Sequence, residues 1–207
     1  MIALMDADQA VAALANAEVI AVPTDTVYGV AASLARPSAV AALFTLKGRP
    51  STLALPVMVD SVEQIEALGV AFPPGARRLA EAFWPGPLTI VVPVPARIAT
   101  LVGGTSQSAG FRIPDDAHLR AMLARSGPLC VTSANGHGEP PCQSAAQVRR
   151  AFEGSHVLAG VVDGGDRSAK VSTVVELFDH SWRIVREGAL GAQEISTVLD
   201  RDEDTTH

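Results

Sequence analysis

The stretch VPTDTVYGVAASLARPSAVAALFTLKGRP, residues 22–50, decides the reading of this chain. An apolar strand at 18–22 runs into Pro23, and Thr24, Asp25, Thr26 and Tyr28 then crowd polar side chains just beyond its end. After a short loop, Ala39, Val40, Leu43, Phe44 and Leu46 recur at helical spacing, and the helix stops at Lys47-Gly48-Arg49-Pro50. Hydroxyls at the end of a buried strand, with two cations one helix later, point to a site for a small polar molecule that carries an anion. Taken alone, Lys47 and Arg49 read as well as a helix C-terminus, where cations suit the dipole and glycine suits the turn.

Outward from that stretch, apolar periodicity alternates between helix and strand. A helix is expected at 6–16, capped by Asp6 or Asp8, ahead of the 18–22 strand. Residues 53–59 read as a strand that Pro56 pushes toward an edge, and Ser61-Val-Glu-Gln64 reads as a capping box opening a helix to about residue 68. A helix at 77–83 stops at Trp84-Pro85-Gly86-Pro87, a rigid turn with a core tryptophan, and a strand follows at 88–94. Residues 95–108 read as a loop, 111–113 as a short strand, and 115–126 as a helix capped by Asp115 or Asp116. The strand 129–132 delivers Ser133-Ala134-Asn135 into the loop 136–143. Ser144-Ala-Ala-Gln147 opens another helix, strands follow near 156–162, 172–178 and 182–186, and a last helix covers 192–199. Interleaved helices and antiparallel-competent strands predict an α/β fold with a mixed, twisted sheet. Residues 1–199 read as one domain, and 200–207 as an acidic, flexible tail.

Composition narrows the function. Hydrophobic residues make up 48% of the 207 residues and aromatics only 4%, so the core is mostly Ala, Val and Leu. A net charge of −6 argues against a chain that coats nucleic acid with its whole surface, while a local basic pocket stays open. Two cysteines, Cys130 and Cys142, make no disulfide framework, and the acidic N-terminal residues do not read as a signal peptide. With no apolar run long enough to span a bilayer, the expectation is a cytoplasmic protein without a membrane partner.

Several familiar sites are excluded. There is no G-x-G-x-x-G after the first strand, residues 164–170 do not complete a Walker loop, and no G-x-S-x-G elbow surrounds Ser133. The histidines lack ligand spacing, so no protein-held metal is expected. Two polar clusters, 24–28 and 133–135, both sit at strand ends and could line one cleft. Arg112, between Phe111 and Ile113, is either exposed or aimed into a pocket where its planar fork suits a carboxylate. Arg183 and Arg186 read more readily as a solvated edge.

The motifs PTDTVYG, KGR, FWPGPLT, GFRIPD, TSAN, DGG and STVVEL occur in that order over residues 18–190. Together they resemble the YrdC/TsaC family of threonylcarbamoyl-AMP synthases, in a short form. The resemblance implies a twisted sheet with flanking helices curled around a concave, positively charged cavity. It implies an enzyme that joins L-threonine, bicarbonate and ATP, with Mg2+, into threonylcarbamoyl-AMP and pyrophosphate. A contact with tRNA and a separate tRNA threonylcarbamoyl-transferase complex are implied too. By motif, Lys47 and Arg49 are the expected catalytic cations. ATP falls to Lys47, Arg49, Ser108, Asn135, Gln143 and Arg186, and threonine to Thr26, Tyr28, Arg112, Ser133 and Ser172. Leu53 and Met58 depart from the pattern, standing where many members place polar contacts. The competing readings are a non-catalytic RNA-binding paralogue and a carbamoyl-transfer domain.

Overall fold

The computed structural model describes residues 2–136, 139–178 and 181–200. Its strands are β1 (Ala3–Met5), β2 (Val19–Pro23), β3 (Tyr28–Ser33), β4 (Val57–Met58), β5 (Leu88–Pro93), β6 (Ser108–Arg112), β7 (Leu129–Ser133), β8 (Leu158–Val162), β9 (Thr173–Leu177) and β10 (Trp182–Arg186). Its helices are α1 (Ala7–Ala15), α2 (Pro37–Lys47), α3 (Val62–Ala67), α4 (Pro74–Phe83), α5 (Ala96–Val102), α6 (Ala117–Ser126), α7 (Ala145–Ala151) and α8 (Ala192–Leu199). The strands form one open sheet in the order β1-β8-β2-β3-β7-β4-β6-β5-β9-β10, mixing parallel and antiparallel pairs. The expected α/β fold with a mixed sheet is what the chain adopts.

Side-chain alternation along the strands explains how that sheet makes a cavity. The register pairs Ile20 with Ala31, Ala31 with Val131, Leu129 with Met58, Met58 with Arg112, Gly110 with Val91 and Thr89 with Val174. These residues share one face. Helices α1 and α6 cover its first half, packing Ala10, Ala13, Leu14, Leu119, Met122 and Leu123 on Ile20, Val22, Ala31, Leu129 and Val131. The second half, over β6, β5 and β9, lies open and floors the cavity. The opposite face carries Val30, Ala32, Cys130, Val57, Phe111, Ile90 and Val175 into the main core, under α2, α3, α4, α5, α7 and α8.

Local signals hold where they are strong. Asp6 and Gln9 exchange side-chain to backbone bonds at the start of α1, and Asp116 accepts the Leu119 amide at the start of α6. The box at 61–64 does not form: Ser61 occupies the N-cap without a capping bond, and Gln64 Oε1 accepts the amide of Asp60 instead. At 144–147 only half forms, since Gln147 Oε1 takes the Gln143 amide rather than that of Ser144.

Four segments differ from the sequence reading. The 53–59 strand shrinks to Val57–Met58, because Arg49 holds the Leu53 and Ala54 carbonyls and the Leu55 amide turns to Val102. The 95–108 loop contains α5, which starts behind Pro95. The loop after Gly29 is β3, since β2 and β7 supply a ladder on both sides of an alanine-rich run. Three-residue β1 carries too few positions to register as a pattern. Of the expected tail, Asp200 caps α8, and residues 201–207 lie outside those described.

Phe111 is fully buried at the centre of the main core. Phe111→Ala is expected to lower unfolding free energy by about 3–5 kcal/mol, read by urea denaturation. A loss below about 1 kcal/mol would contradict this placement of the core.

Candidate functional site

The open half of the sheet floors a cavity of about 530 Å³. Gly110 keeps that floor clear: a Cβ there would lie 2.8 Å from the Thr89 methyl. The wall includes Thr26, Tyr28, Arg49, Ser108, Arg112, Ser133, Ser172 and Arg186. The remaining sequence candidates, Lys47, Asn135 and Gln143, are off the wall. The two strand-end clusters do meet, because Gly29 pairs with Ser133 across β3 and β7.

Lys47 ends α2 beside Gly48, which takes the left-handed turn at φ 54°. The capping geometry and the site therefore coexist. Lys47 is 8% exposed, and its ammonium donates to the carbonyls of Ser133 and Asn135 and to Asn135 Oδ1, at 2.7, 2.6 and 2.8 Å. Those bonds use its full donor set. Ser133 Oγ also donates to Asn135 Oδ1, and Asn135 Nδ2 donates to the carbonyls of Gly136 and Glu139. Lys47 and Asn135 thus fix the turn that presents Ser133. Burial, with Arg49 nearby, pulls the Lys47 ammonium down to about 8.

The guanidiniums are held the same way. Arg49 donates to the Leu53 and Ala54 carbonyls, both at 2.9 Å, and fixes the loop at the cavity rim. Arg186 donates to the Ser172 carbonyl and hydroxyl, and Ser172 Oγ lies 3.1 Å from Thr89 Oγ1. Arg186 is exposed on the edge strand β10, as the sequence suggests, yet it also lines the cavity, while Arg183 is the exposed partner of Glu176. Burial, then Arg112 and Arg49, lower the Arg186 guanidinium from its ordinary value.

Arg112 is buried, which settles its two sequence readings in favour of the pocket. It donates from Nε to Gly86, from Nη1 to Thr26 Oγ1 and from Nη2 to Asp25 Oδ1, at 3.0, 3.3 and 2.6 Å. Asp25 is the residue to which the sequence assigns no role of its own. Its signal was its place in the polar cluster 24–28. Thr24 is a turn cap: its hydroxyl donates to Val27 and accepts the amides of Thr26 and Val27.

The remaining candidates sit at the margins. Tyr28 is fully buried, and its hydroxyl donates to Gly165 and accepts the Gly164 amide, tying the DGG turn to the wall. Ser108 Oγ pairs with Ser106 Oγ at 2.8 Å. The Gln143 carbonyl accepts the Arg167 amide, outside the wall. Of the departures, Leu53 is 51% exposed at the rim, and Met58 is buried beside Arg112 in the parallel ladder. Among the described residues no group of acidic, histidine or cysteine side chains could hold a metal ion, and no helix is long and apolar enough to cross a membrane.

Comparison with known proteins places this geometry. The Sua5/YciO/YrdC family model, described as Telomere recombination, matches residues 12–188. A Mycobacterium tuberculosis protein provisionally named threonylcarbamoyl-AMP synthase is 36% identical over 193 residues, covering 93% of this chain and 88% of that one. The threonylcarbamoyl-AMP synthase of Bacillus subtilis is 35% identical over 194 residues, covering 92% of this chain and 56% of that protein. The crystal structure of Pyrococcus abyssi Sua5 complexed with L-threonine superposes with a TM-score of 0.86 at 31% identity, covering 96% of this chain and 60% of that one. The chain therefore spans little more than half the length of the last two.

The Lys47 anchor makes a prediction with a definite sign. An ordinary lysine keeps its proton to 10.5 and this one to about 8, so between those values the unfolded chain holds a proton that the folded chain has released. Its contribution to stability therefore rises with pH across that window. Urea midpoints should show the wild type gaining on Lys47→Met from pH 8 to 10.5. The variant should also cost about 1–3 kcal/mol at neutral pH, by leaving buried carbonyls unpaired. Parallel pH profiles would contradict the lowered Lys47 value, and a neutral-pH cost near zero would contradict the anchor.

Proposed function

This chain belongs to the Sua5/YciO/YrdC family, and from that membership we propose that it is a threonylcarbamoyl-AMP synthase. It joins L-threonine, bicarbonate and ATP into threonylcarbamoyl-AMP and pyrophosphate. The observation that carries the reading is the convergence of Arg49, Arg112 and Arg186 on one cavity, lined between them by hydroxyls. Planar guanidiniums suit a carboxylate at one end and phosphates at the other.

In this reading Arg112 receives the threonine carboxylate through the N–H groups left over from Gly86, Thr26 and Asp25. Thr26, Ser133 and Ser172 supply hydroxyls around the amino acid, and Tyr28 supplies a rigid wall. Arg49, Arg186 and Ser108 take the nucleotide, and Lys47 and Asn135 hold the 133–135 turn against it, with Gln143 in the loop beyond. Magnesium arrives on the ATP phosphates as part of the substrate, since the wall offers cations and hydroxyls and not carboxylates.

The chemistry asks for placement and charge more than for a nucleophile. Neutral threonine amine adds to bicarbonate, water leaves, and a carbamate forms. A carbamate oxygen attacks the α-phosphorus, and the bond to pyrophosphate breaks. Negative charge grows on the phosphoryl oxygens and the leaving group, where fixed cations stabilise it without reorganising. That accounts for a site without a nucleophile–base pair. The product is an activated carbamoyl group for transfer by a separate complex to the adenosine beside a tRNA anticodon. The reducing cytoplasm suits both that role and the unpaired Cys130 and Cys142.

The test is a product assay with ATP, magnesium, bicarbonate and L-threonine, each omitted in turn. Pyrophosphate and the threonylcarbamoyl-adenylate should appear only in the complete mixture. Lys47→Ala and Arg49→Ala should each cut the rate by roughly 100-fold or more. No adenylate in the complete mixture, with RNA still bound, would overturn the reading in favour of a non-catalytic paralogue; carbamoyl phosphate replacing threonine and bicarbonate would make it a carbamoyl-transfer domain.

A further inference from the structure

The ion pair between Asp25 and Arg112 has side chains 11% and 5% exposed, and only Arg167–Asp116, away from the cavity wall, comes near it at 22% and 9%, whereas Arg77–Glu66, Arg125–Asp8 and Arg183–Glu176 each put a side chain into solvent. Among the described residues, Asp25 is also the carboxylate bonded to the cation cluster. Lys47 and Arg49 bond carbonyls or an amide oxygen, and Arg186 bonds a carbonyl and a hydroxyl. Yet Asp25 is not on the cavity wall, while its neighbour Thr26 and its partner Arg112 both are.

We infer that Asp25 is a positioning residue that sets the Arg112 guanidinium to receive an amino-acid carboxylate. The inference deepens the synthase reading and rests on it. Burial lowers the Arg112 guanidinium from its ordinary value and Asp25 raises it, while Arg112 and Arg49 both lower that of Arg186. A long side chain among like charges turns toward solvent unless an anion holds it. Asp25 supplies that anion from behind. The Gly86 carbonyl and the Thr26 hydroxyl fix the other edges, leaving one N–H on each terminal nitrogen for the cavity.

Asp25 is itself held. Thr24 Oγ1 binds the Thr26 and Val27 amides and the Val27 carbonyl and lies 3.0 Å from Thr26 Oγ1, which locks the turn that carries Asp25. Thr24 thus holds the turn, the turn holds Asp25, and Asp25 holds Arg112. The carboxylate acts on the substrate only through the arginine.

Calorimetry with L-threonine and, separately, with ATP tests this on the full chain. Asp25→Asn should weaken L-threonine by roughly tenfold or more while changing ATP affinity less than about threefold. Equal L-threonine affinity in the two proteins overturns the inference, as does an equal loss for both ligands. A wild-type protein that binds no L-threonine overturns the synthase reading and this inference with it, an outcome separable from the other two. If Asp25→Asn does not fold, the wild type still decides. Separate, slowly exchanging Nη protons of Arg112 in its NMR spectrum support the clamp, and a single averaged signal overturns it.

Discussion

Cations gathered in and beside one cavity repel each other, and the structure answers that repulsion mainly with backbone carbonyl oxygens. Lys47 is pinned by the carbonyls of Ser133 and Asn135, Arg49 by those of Leu53 and Ala54, Arg186 by that of Ser172 and Arg112 by that of Gly86. Carbonyl dipoles hold a cation in place without cancelling its charge. The cavity therefore stays positive and ready for anions, and each loop around it is held by the cation it frames. Asp25 is the exception, placed where a guanidinium must be turned as well as held.

That arrangement depends on the sheet. Alternation along β6 and β5 sends Phe111 and Ile90 into the core and leaves Arg112, Gly110 and Thr89 facing the other way. Because α1 and α6 cover only half of that second face, the other half becomes a floor. Met58 sits at the junction, packed with the α6 cluster on one side and paired with Arg112 on the other. It puts an apolar group at the Arg112 end of the cavity, and Leu53 does the same at the rim. The two departures from the family pattern thus change the lining and leave the cation framework intact.

Much of this is legible in the sequence. The capped helices, the strand before Pro23 and the strand before Ser133 carried strong local signals, and both polar clusters lay at strand ends as expected. What failed to show was set by tertiary contacts. Strand β3 exists because of its neighbours and not because of an alanine-rich sequence. The loop at 49–56 is shaped by its own arginine, so apolar residues that read as a strand stay out of the ladder. Arg112 could be read either way, because a strand residue's face depends on a register that sequence does not print. Asp25 was visible as a polar residue, but its partner lies 87 positions away in the chain.

The central claim is a preformed cationic site whose cations keep their carbonyl anchors while only the remaining N–H groups of the arginines meet ligand. A crystal structure of the protein with L-threonine and a non-hydrolysable ATP analogue tests it most directly. The account predicts Lys47 still bonded to Ser133 and Asn135, Arg49 still bonded to the 53–54 carbonyls, and the threonine carboxylate on Arg112 opposite Asp25. Lys47 or Arg49 swung away from those carbonyls onto phosphate, or Arg112 released from Asp25, would contradict it.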